Sequence, residues 1–277
     1  MSGFLRTGNG KVKKRLRSFG NIKEVEDNMM DSKAQRERER RFREKDLPFG
    51  VFTIQTKTKW FNLIEMRNVL RELRVEDKSA VIDIGCSDGR FLEYLHDRLP
   101  KCRLTGIDFA ESALNVLKGK GFPCDVVCGD ICEMSFQQDS FDHAVAIQVI
   151  QSIPSREDRS NVLKNIHRIL KEDGNFVLTV LNQKAWSNLV ENGKEGRLLT
   201  ANDLYVYLYE PEDLREELER AGFVVSKIMG INTLPARYLK RLGIAGVWMD
   251  VMISRFYRSL SIQKGYYLLA SCRKRKT

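Results

Sequence analysis

Over residues 57–73 the apolar positions, among them Trp60, Phe61, Ile64, Val69, Leu70 and Leu73, recur at the three-to-four spacing of one helix face, which predicts an amphipathic helix docked on a core. Placed over a substrate instead, the same helix would be a lid carrying Trp60 and Phe61. After it the period changes. Short β-branched runs at 80–84, 103–107, 125–128, 143–149 and 176–181 read as strands, and the stretches 91–99, 112–121 and 156–171 read as helices. Strands that alternate with helices predict a mainly parallel sheet covered on both faces.

The rest of the chain extends this pattern. A helix is expected over 210–221, opened by Pro211, then a strand over 223–229 and a final strand in GYYLLASC at 265–272. The basic, apolar stretch between them, around 234–260, predicts a helix whose apolar face is Leu242, Val247, Trp248, Val251 and Met252. At the other end, residues 1–20 are basic and glycine-punctuated, the composition of a disordered tail. The run DSKAQRERERRFREKD has helix formers but few apolar anchors, so it predicts an exposed, lightly packed helix that Pro48 and Gly50 terminate.

Composition sharpens this in three ways. A chain of 277 residues with 42% hydrophobic content can bury a proper core. Its 47 Lys and Arg against 37 Asp and Glu give a formal charge of +10, which favours anionic partners. The charge is uneven: residues 1–46 carry 14 basic and 8 acidic side chains, residues 235–277 carry 10 and 1, and the middle is slightly acidic. A solvated flank is the ordinary meaning of such ends, and a phosphate clamp for nucleic acid is the alternative. Six cysteines (Cys86, Cys102, Cys124, Cys128, Cys132 and Cys272) without CxxC pairs predict free thiols in a reducing, cytoplasmic setting, and no metal site is expected from the every-fourth spacing of the middle three. The N-terminus lacks the apolar core of a secretory signal, and no run of about 18 apolar residues appears, so no transmembrane span is expected.

The candidate chemistry lies in VIDIGCSDGRF, a strand running into a glycine turn and a helix. Gly85 and Gly89 lack the Cβ atoms that would block a ligand from the backbone, and the new helix offers unpaired N–H groups to an anionic group. Asp83 at the strand end suits a ligand amine. Nineteen residues after Gly89 the next strand ends in Asp108, where a carboxylate accepts from both hydroxyls of a ribose. The ligand is therefore expected to be a nucleoside derivative. A dinucleotide fingerprint would need glycine at 85, 87 and 90, but the chain has Gly85, Ser87 and Arg90.

With DIGCSDGRF, GIDFAESAL, CGDICEMSFQQDSFDHAVAIQVI and LKEDGNFVLTVLN in order, the chain resembles class I, Rossmann-like S-adenosylmethionine-dependent methyltransferases, of the small-molecule subset, over roughly residues 55–273. The resemblance implies an α/β three-layer sandwich with a seven-stranded, mainly parallel sheet whose last strand is antiparallel, plus N-terminal helices. It implies a domain over 47–277 with a substrate-roof insertion around 234–260, preceded by a basic extension over 1–46. The cofactor would be S-adenosyl-L-methionine. Asp83, Gly85, Cys86, Ser87 and Gly89 would hold its amino-acid part and Asp108 its ribose. Phe109 and Ile131 would flank the adenine, Asp130 would accept from its exocyclic amine, and Gln148 would sit beside the methionine moiety. Ser87 departs from the usual central glycine.

The acceptor is less defined. His96, His143 and His167 fall within predicted helices and strands, and the stretch after the fourth strand, VIQSIP, carries no histidine, so a histidine base is not expected. AIQVIQSIP also lacks the Asn/Asp-Pro-Pro-aromatic run of enzymes that methylate exocyclic amines of bases. Aromatic and basic residues of the roof (Tyr238, Trp248, Phe256, Arg241, Arg255) suit an anionic or amphipathic small molecule such as a glycan, a lipid-linked or a quinone-like compound, and leave room for peripheral membrane contact. Methylation of RNA, transfer RNA in particular, with the basic termini as a clamp is the alternative.

Overall fold

The computed structural model describes residues 32–45, 59–187, 190, 193–197 and 205–275. The expected disordered tail over 1–20 lies outside these, as do Pro48 and Gly50. In chain order the elements are α1 (Ser32–Lys45), α2 (Lys59–Leu73), β1 (Ala80–Ile84), α3 (Arg90–His96), β2 (Arg103–Asp108), α4 (Glu111–Gly119), β3 (Asp125–Cys128), β4 (Phe141–Ile147), α5 (Arg156–Ile169), β5 (Leu170–Leu181), α6 (Gln183–Trp186), β6 (Glu195–Arg197), β7 (Tyr205–Tyr207), α7 (Pro211–Arg220), β8 (Phe223–Ile231), α8 (Ala236–Leu242), α9 (Ile244–Phe256), α10 (Arg258–Lys264) and β9 (Tyr267–Lys274). Seven of the strands form one sheet in the order β3-β2-β1-β4-β5-β9-β8. The first five run parallel, and β9 lies antiparallel between β5 and β8. This is the expected three-layer α/β architecture with its last strand reversed.

Alternation within β1 shows how the sequence builds two cores. Ala80, Ile82 and Ile84 face one side with Val162, Leu163 and Ile166 of α5 and Leu214 and Leu218 of α7. Val81 faces the other with Phe61 and Ile64 of α2, Leu92 of α3 and Leu114 of α4. Most of these side chains are fully buried, each stabilising the fold by about 1.5–3 kcal/mol. Local signals set the boundaries. Ser155 caps α5 by accepting from Asp158 N at 3.2 Å, and Pro211 opens α7 at a position that needs no N–H donor.

Two expectations are corrected. The segment around 234–260 contains the expected helix as α9, together with α8 and part of α10, and α8 and α9 are separated where Gly243 takes φ 55°. Its expected apolar face also divides: Val247 and Val251 are buried, whereas Leu242, Trp248 and Met252 are 41%, 52% and 50% exposed. Strand β4 ends at Ile147, so Gln148 and Val149 lie beyond it. The β6–β7 hairpin had no periodic signal because each strand has three residues.

The roof is bolted to the sheet by a buried carboxylate. Asp250 of α9 accepts from Asn232 N (3.1 Å), Leu234 N (2.8 Å), Thr233 Oγ1 (2.9 Å) and, more loosely, Ser254 Oγ (3.5 Å). Asn232 in turn donates to Phe61 O of α2 at 2.8 Å. Strand β8, the roof and α2 thus share one polar joint.

Candidate active site

Strand β1 stops at Ile84 because the next two N–H groups, of Gly85 and Cys86, turn to Ile107 O of β2 at 2.8 and 3.0 Å. Gly85 and Gly89 both take φ 72°, and a Cβ on them would lie 2.4 Å from Val149 Cγ2 and 2.3 Å from Leu117 Cδ1. The left-handed φ and the tight side-chain packing together favour glycine at both places. Ser87 also adopts a left-handed φ of 51°, at a cost of about 1 kcal/mol for a residue with a Cβ. Its N–H is repaid in geometry: it donates to Asp108 Oδ2 at 2.9 Å. The other oxygen of Asp108 accepts from Ala110 N at 2.9 Å. Asp108 therefore holds the glycine turn and the start of α4 together, and each oxygen keeps a second lone pair for a ligand hydroxyl.

Asp83 is buried just before the turn, and among the described residues no hydrogen-bond donor reaches its carboxyl group. Burial pushes its pKa well above the usual carboxylate range, the charges of Asp108 and Asp88 push it further, and Arg90 opposes them. Such a group awaits a positive or hydrogen-donating partner. Cys86 is buried beside it, and its thiol is likewise pushed up by burial.

At the ends of β4 and β5 a second polar cluster forms. Gln148 takes φ 57°, and its N–H donates to Thr179 O at 2.9 Å. Its side-chain Nε2 lies 3.0 and 2.9 Å from the two carboxylate oxygens of Glu65, and Thr179 Oγ1 donates to Glu65 Oε1 at 2.7 Å. Burial raises the Glu65 pKa, while the bonds from Gln148 and Thr179 hold it down. Glu65, on α2, escaped the sequence analysis. The signal was present: Phe61, Glu65, Val69 and Leu73 follow one another at four-residue steps, so an acid interrupts the apolar stripe, and Glu72, seven residues on, is buried on the same face.

The cleft beyond β2 and β3 brings a further unanticipated group. Phe109, Cys128, Gly129, Asp130 and Glu133 line one wall of a cleft of about 610 Å³, and Ala34, Arg36, Glu37 and Arg40 of α1 line the other. Asp130 Oδ1 accepts from Cys132 N and Oδ2 from Arg36 Nε, both at 2.9 Å, and the same guanidinium pairs with Asp158. Ile131 is buried beneath them. At its other end α1 places Glu44 on the first N–H groups of α4, accepting from Glu111 N at 2.7 Å and Ser112 N at 3.3 Å. The helix expected to pack lightly is held by these charged contacts. The sequence offers its arginines as a solvated charge run or a phosphate clamp, not as partners of Asp130 and Asp158.

The histidines lie elsewhere. His96 stacks on Phe122 and His167 meets Phe223 edge-on, while His143 lies within β4 and burial lowers its pKa. All six cysteines are free, and no cluster of three or more metal-ligating side chains occurs among the described residues.

These features fit S-adenosylmethionine as a group. The glycine turn opens a helix N-terminus beside the buried acids, Asp83 lacks a donor that an ammonium would supply, and Asp108 has lone pairs for a ribose. A cationic cofactor also relieves the mutual repulsion of Asp83, Asp88 and Asp108.

Comparison with known proteins agrees. Residues 82–178 match a family model described as a methyltransferase domain. An Encephalitozoon cuniculi protein named for methyltransferase activity is 30% identical over 158 residues, covering 53% of this chain and 71% of its own. The demethylmenaquinone methyltransferase of Staphylococcus aureus is 29% identical over 121 residues, 42% of this chain but only 49% of that enzyme. In fold, the chain is similar to the 1,6-didemethyltoxoflavin-N1-methyltransferase of Burkholderia thailandensis, with a TM-score of 0.59, 15% identity and 88% of each chain covered. The glycine turn, the acid ending β2 and the reversed last strand thus agree with sequence kinship, and the chain belongs to the class I S-adenosylmethionine-dependent methyltransferases.

Proposed function

We propose that this methyltransferase acts on an amphipathic small molecule, of the quinone-like or lipid-linked kind, at a hydroxyl-bearing position. The observation that carries the proposal is the covered polar cluster at Gln148. Helix α2 packs across the ends of β4 and β5 and brings a carboxylate, Glu65, to within 3.0 Å of the Gln148 side chain. Phe61 and Ile64 bury the surrounding helix face. Of the two buried acids of this helix, Glu72 is paired with Lys227 and Arg71, whereas Glu65 faces Gln148 and Thr179 with no cation paired to it among the described residues. Such a group suits one hydroxyl on a hydrophobic body better than a polyanionic backbone, which it would repel. The relative that methylates demethylmenaquinone supports the same acceptor class.

In this reading Asp83, Gly85, Cys86, Ser87 and Gly89 hold the amino-acid end of the cofactor, Asp108 the ribose, Phe109, Ile131 and Asp130 the adenine, and Gln148 the methionine end. When bound, S-adenosylmethionine supplies a methyl group on a leaving group that is already activated. Positioning and exclusion of water then lower much of the remaining barrier. Glu65 Oε2 accepts the proton of the acceptor hydroxyl, and Gln148 and Thr179 keep that carboxylate oriented.

The test is transfer of a radiolabelled methyl group from S-adenosylmethionine to two pools in parallel, a total lipid extract and total RNA. Label in the organic phase, reduced by Glu65→Gln, is the expected result. Label in RNA alone, or in neither pool, would overturn the reading.

A further inference from the structure

Nine of the twelve large apolar side chains that the described surface exposes lie within 23 residues, from Tyr238 to Leu260. On α9 they form a ridge. Ile244, Trp248, Met252 and Phe256 follow one another at four-residue steps and are 47–62% exposed, beside the buried stripe that contains Val247, Asp250, Val251 and Ser254. Tyr257 and Leu260 extend the ridge onto α10 at 63% and 45% exposure. A helix that is apolar on both sides normally lies in a core or in a membrane. Only one side of α9 meets the core.

Charge identifies what the outer side meets. Arg237, Lys240 and Arg241 flank the ridge on α8, and Arg255, Arg258 and Lys264 flank it at the other end. The one acid from residue 235 to 264 is Asp250, which is buried and bonded to the β8 exit. The exposed face therefore combines Trp, Phe, Tyr, Met and Ile with cations and no carboxylate. That is the composition of a surface that lies in the headgroup region of a bilayer.

We propose that the outer face of α8, α9 and α10 docks on a bilayer carrying anionic lipids. With 13 residues α9 is too short to span, and no helix among the described residues is long and apolar enough to cross a membrane. A second copy of the chain would bring six cations against six. RNA would neutralise the cations but leave Ile244 and Met252 in water. An anionic bilayer satisfies both the charge and the apolar ridge. The face is joined to the active site, since the guanidinium of Arg67 on α2 lies 4.1 Å from the Trp248 ring centre and the same helix carries Glu65. Docking itself stands on the surface alone. Delivery of a bilayer-resident acceptor to Glu65 rests on the function proposed above.

The test is flotation of the whole protein with vesicles of phosphatidylcholine alone or with about one third phosphatidylglycerol. Recovery with the anionic vesicles, at least about tenfold above the neutral ones, is expected. The variant Trp248→Ser/Met252→Ser should lose it at least tenfold while binding S-adenosylhomocysteine as the wild type does, because both side chains are half exposed and lie on α9, which supplies none of the residues assigned to the cofactor. Absence of wild-type flotation would overturn docking, as would flotation that salt abolishes but the double variant leaves intact. Equal loss in sedimentation of a dimer, without vesicle binding, would assign the face to self-association and overturn it too. Flotation together with label in RNA would refute only the acceptor reading.

Discussion

The cofactor end and the roof of this molecule solve opposite problems. At the glycine turn, buried acids stand close together with few donors, and the backbone of β1 and β2 does the shaping: Asp108 is latched by Ser87 N and Ala110 N, and Gly85 and Gly89 take a left-handed φ under tight packing. On the roof, the backbone is ordinary helix and the side chains carry the information, apolar and cationic residues projecting from α8, α9 and α10. The difference teaches where specificity resides. A cofactor of fixed shape is held by geometry that few sequences can build, whereas the partner of the roof is selected by surface composition that many sequences could provide.

The sharpest break in this comparison is at Asp108. Asp108→Ala should weaken S-adenosylhomocysteine binding by about 100-fold or more, since hydrogen bonds to a charged group contribute about 1.5–3 kcal/mol each and about 1.4 kcal/mol is tenfold. Titration calorimetry reads the loss, and unchanged affinity would show that the ribose is held elsewhere. Asp108→Asn, which keeps one carbonyl acceptor, should fall between.

A smaller effect follows from acidity. Asp83, Glu65 and Asp250 all have pKa values raised chiefly by burial. A raised folded-state value means that the folded protein keeps protons the unfolded chain has lost. Their contribution to stability is full below the ordinary carboxylate values of about 4 and falls as pH rises through the folded values. The melting temperature of the cofactor-free protein should therefore drop above about pH 4, less so in Asp83→Asn. Binding of cationic S-adenosylmethionine should strengthen over the same range, because ionised Asp83 attracts it. Melting curves from pH 5 to 8 with and without cofactor test both signs, and a cofactor stabilisation that shrinks with rising pH would contradict the placement of Asp83.

The smallest effect concerns α1, which belongs to neither region by sequence yet lies on the cofactor side. Arg36 occupies one oxygen of Asp130, the residue proposed for the adenine amine. Arg36→Ala should raise S-adenosylhomocysteine affinity by up to about fivefold, the upper end for a partly exposed ion pair worth about 0.2–1 kcal/mol. A fall in affinity would mean instead that Arg36 holds the cofactor, and α1 would join the cofactor region outright.

The two regions were also unequally legible in the sequence. The strand runs and the glycine turn announced the sheet because alternation and φ-positive glycines are local properties, visible within about ten residues. β4 was placed two residues late because Gln148 and Val149 continue an apolar run that the chain leaves by a left-handed turn at Gln148. Glu65 was missed because its role depends on Gln148 and Thr179, 83 and 114 residues away. The roof was misjudged for a related reason. Periodicity reports that residues share a helix face, but not how much of that face meets protein, and Trp248 and Met252 are half exposed where Val247 beside them is buried. Arg36 gave no signal at all, since an arginine in a run of arginines and glutamates is locally indistinguishable from its neighbours.

The carboxylate of Asp250 has a mechanical meaning. Lifting α9 from the sheet would strip it of its donors at Asn232, Thr233 and Leu234 and tear at the bond from Asn232 to Phe61 O. At about 1 kcal/mol or more for each bond, that hinge stays shut at ordinary temperatures. The segment from α8 to α10 is therefore a fixed awning and not a trapdoor, clamped through Asp250 and Asn232 to α2, the helix that carries Glu65.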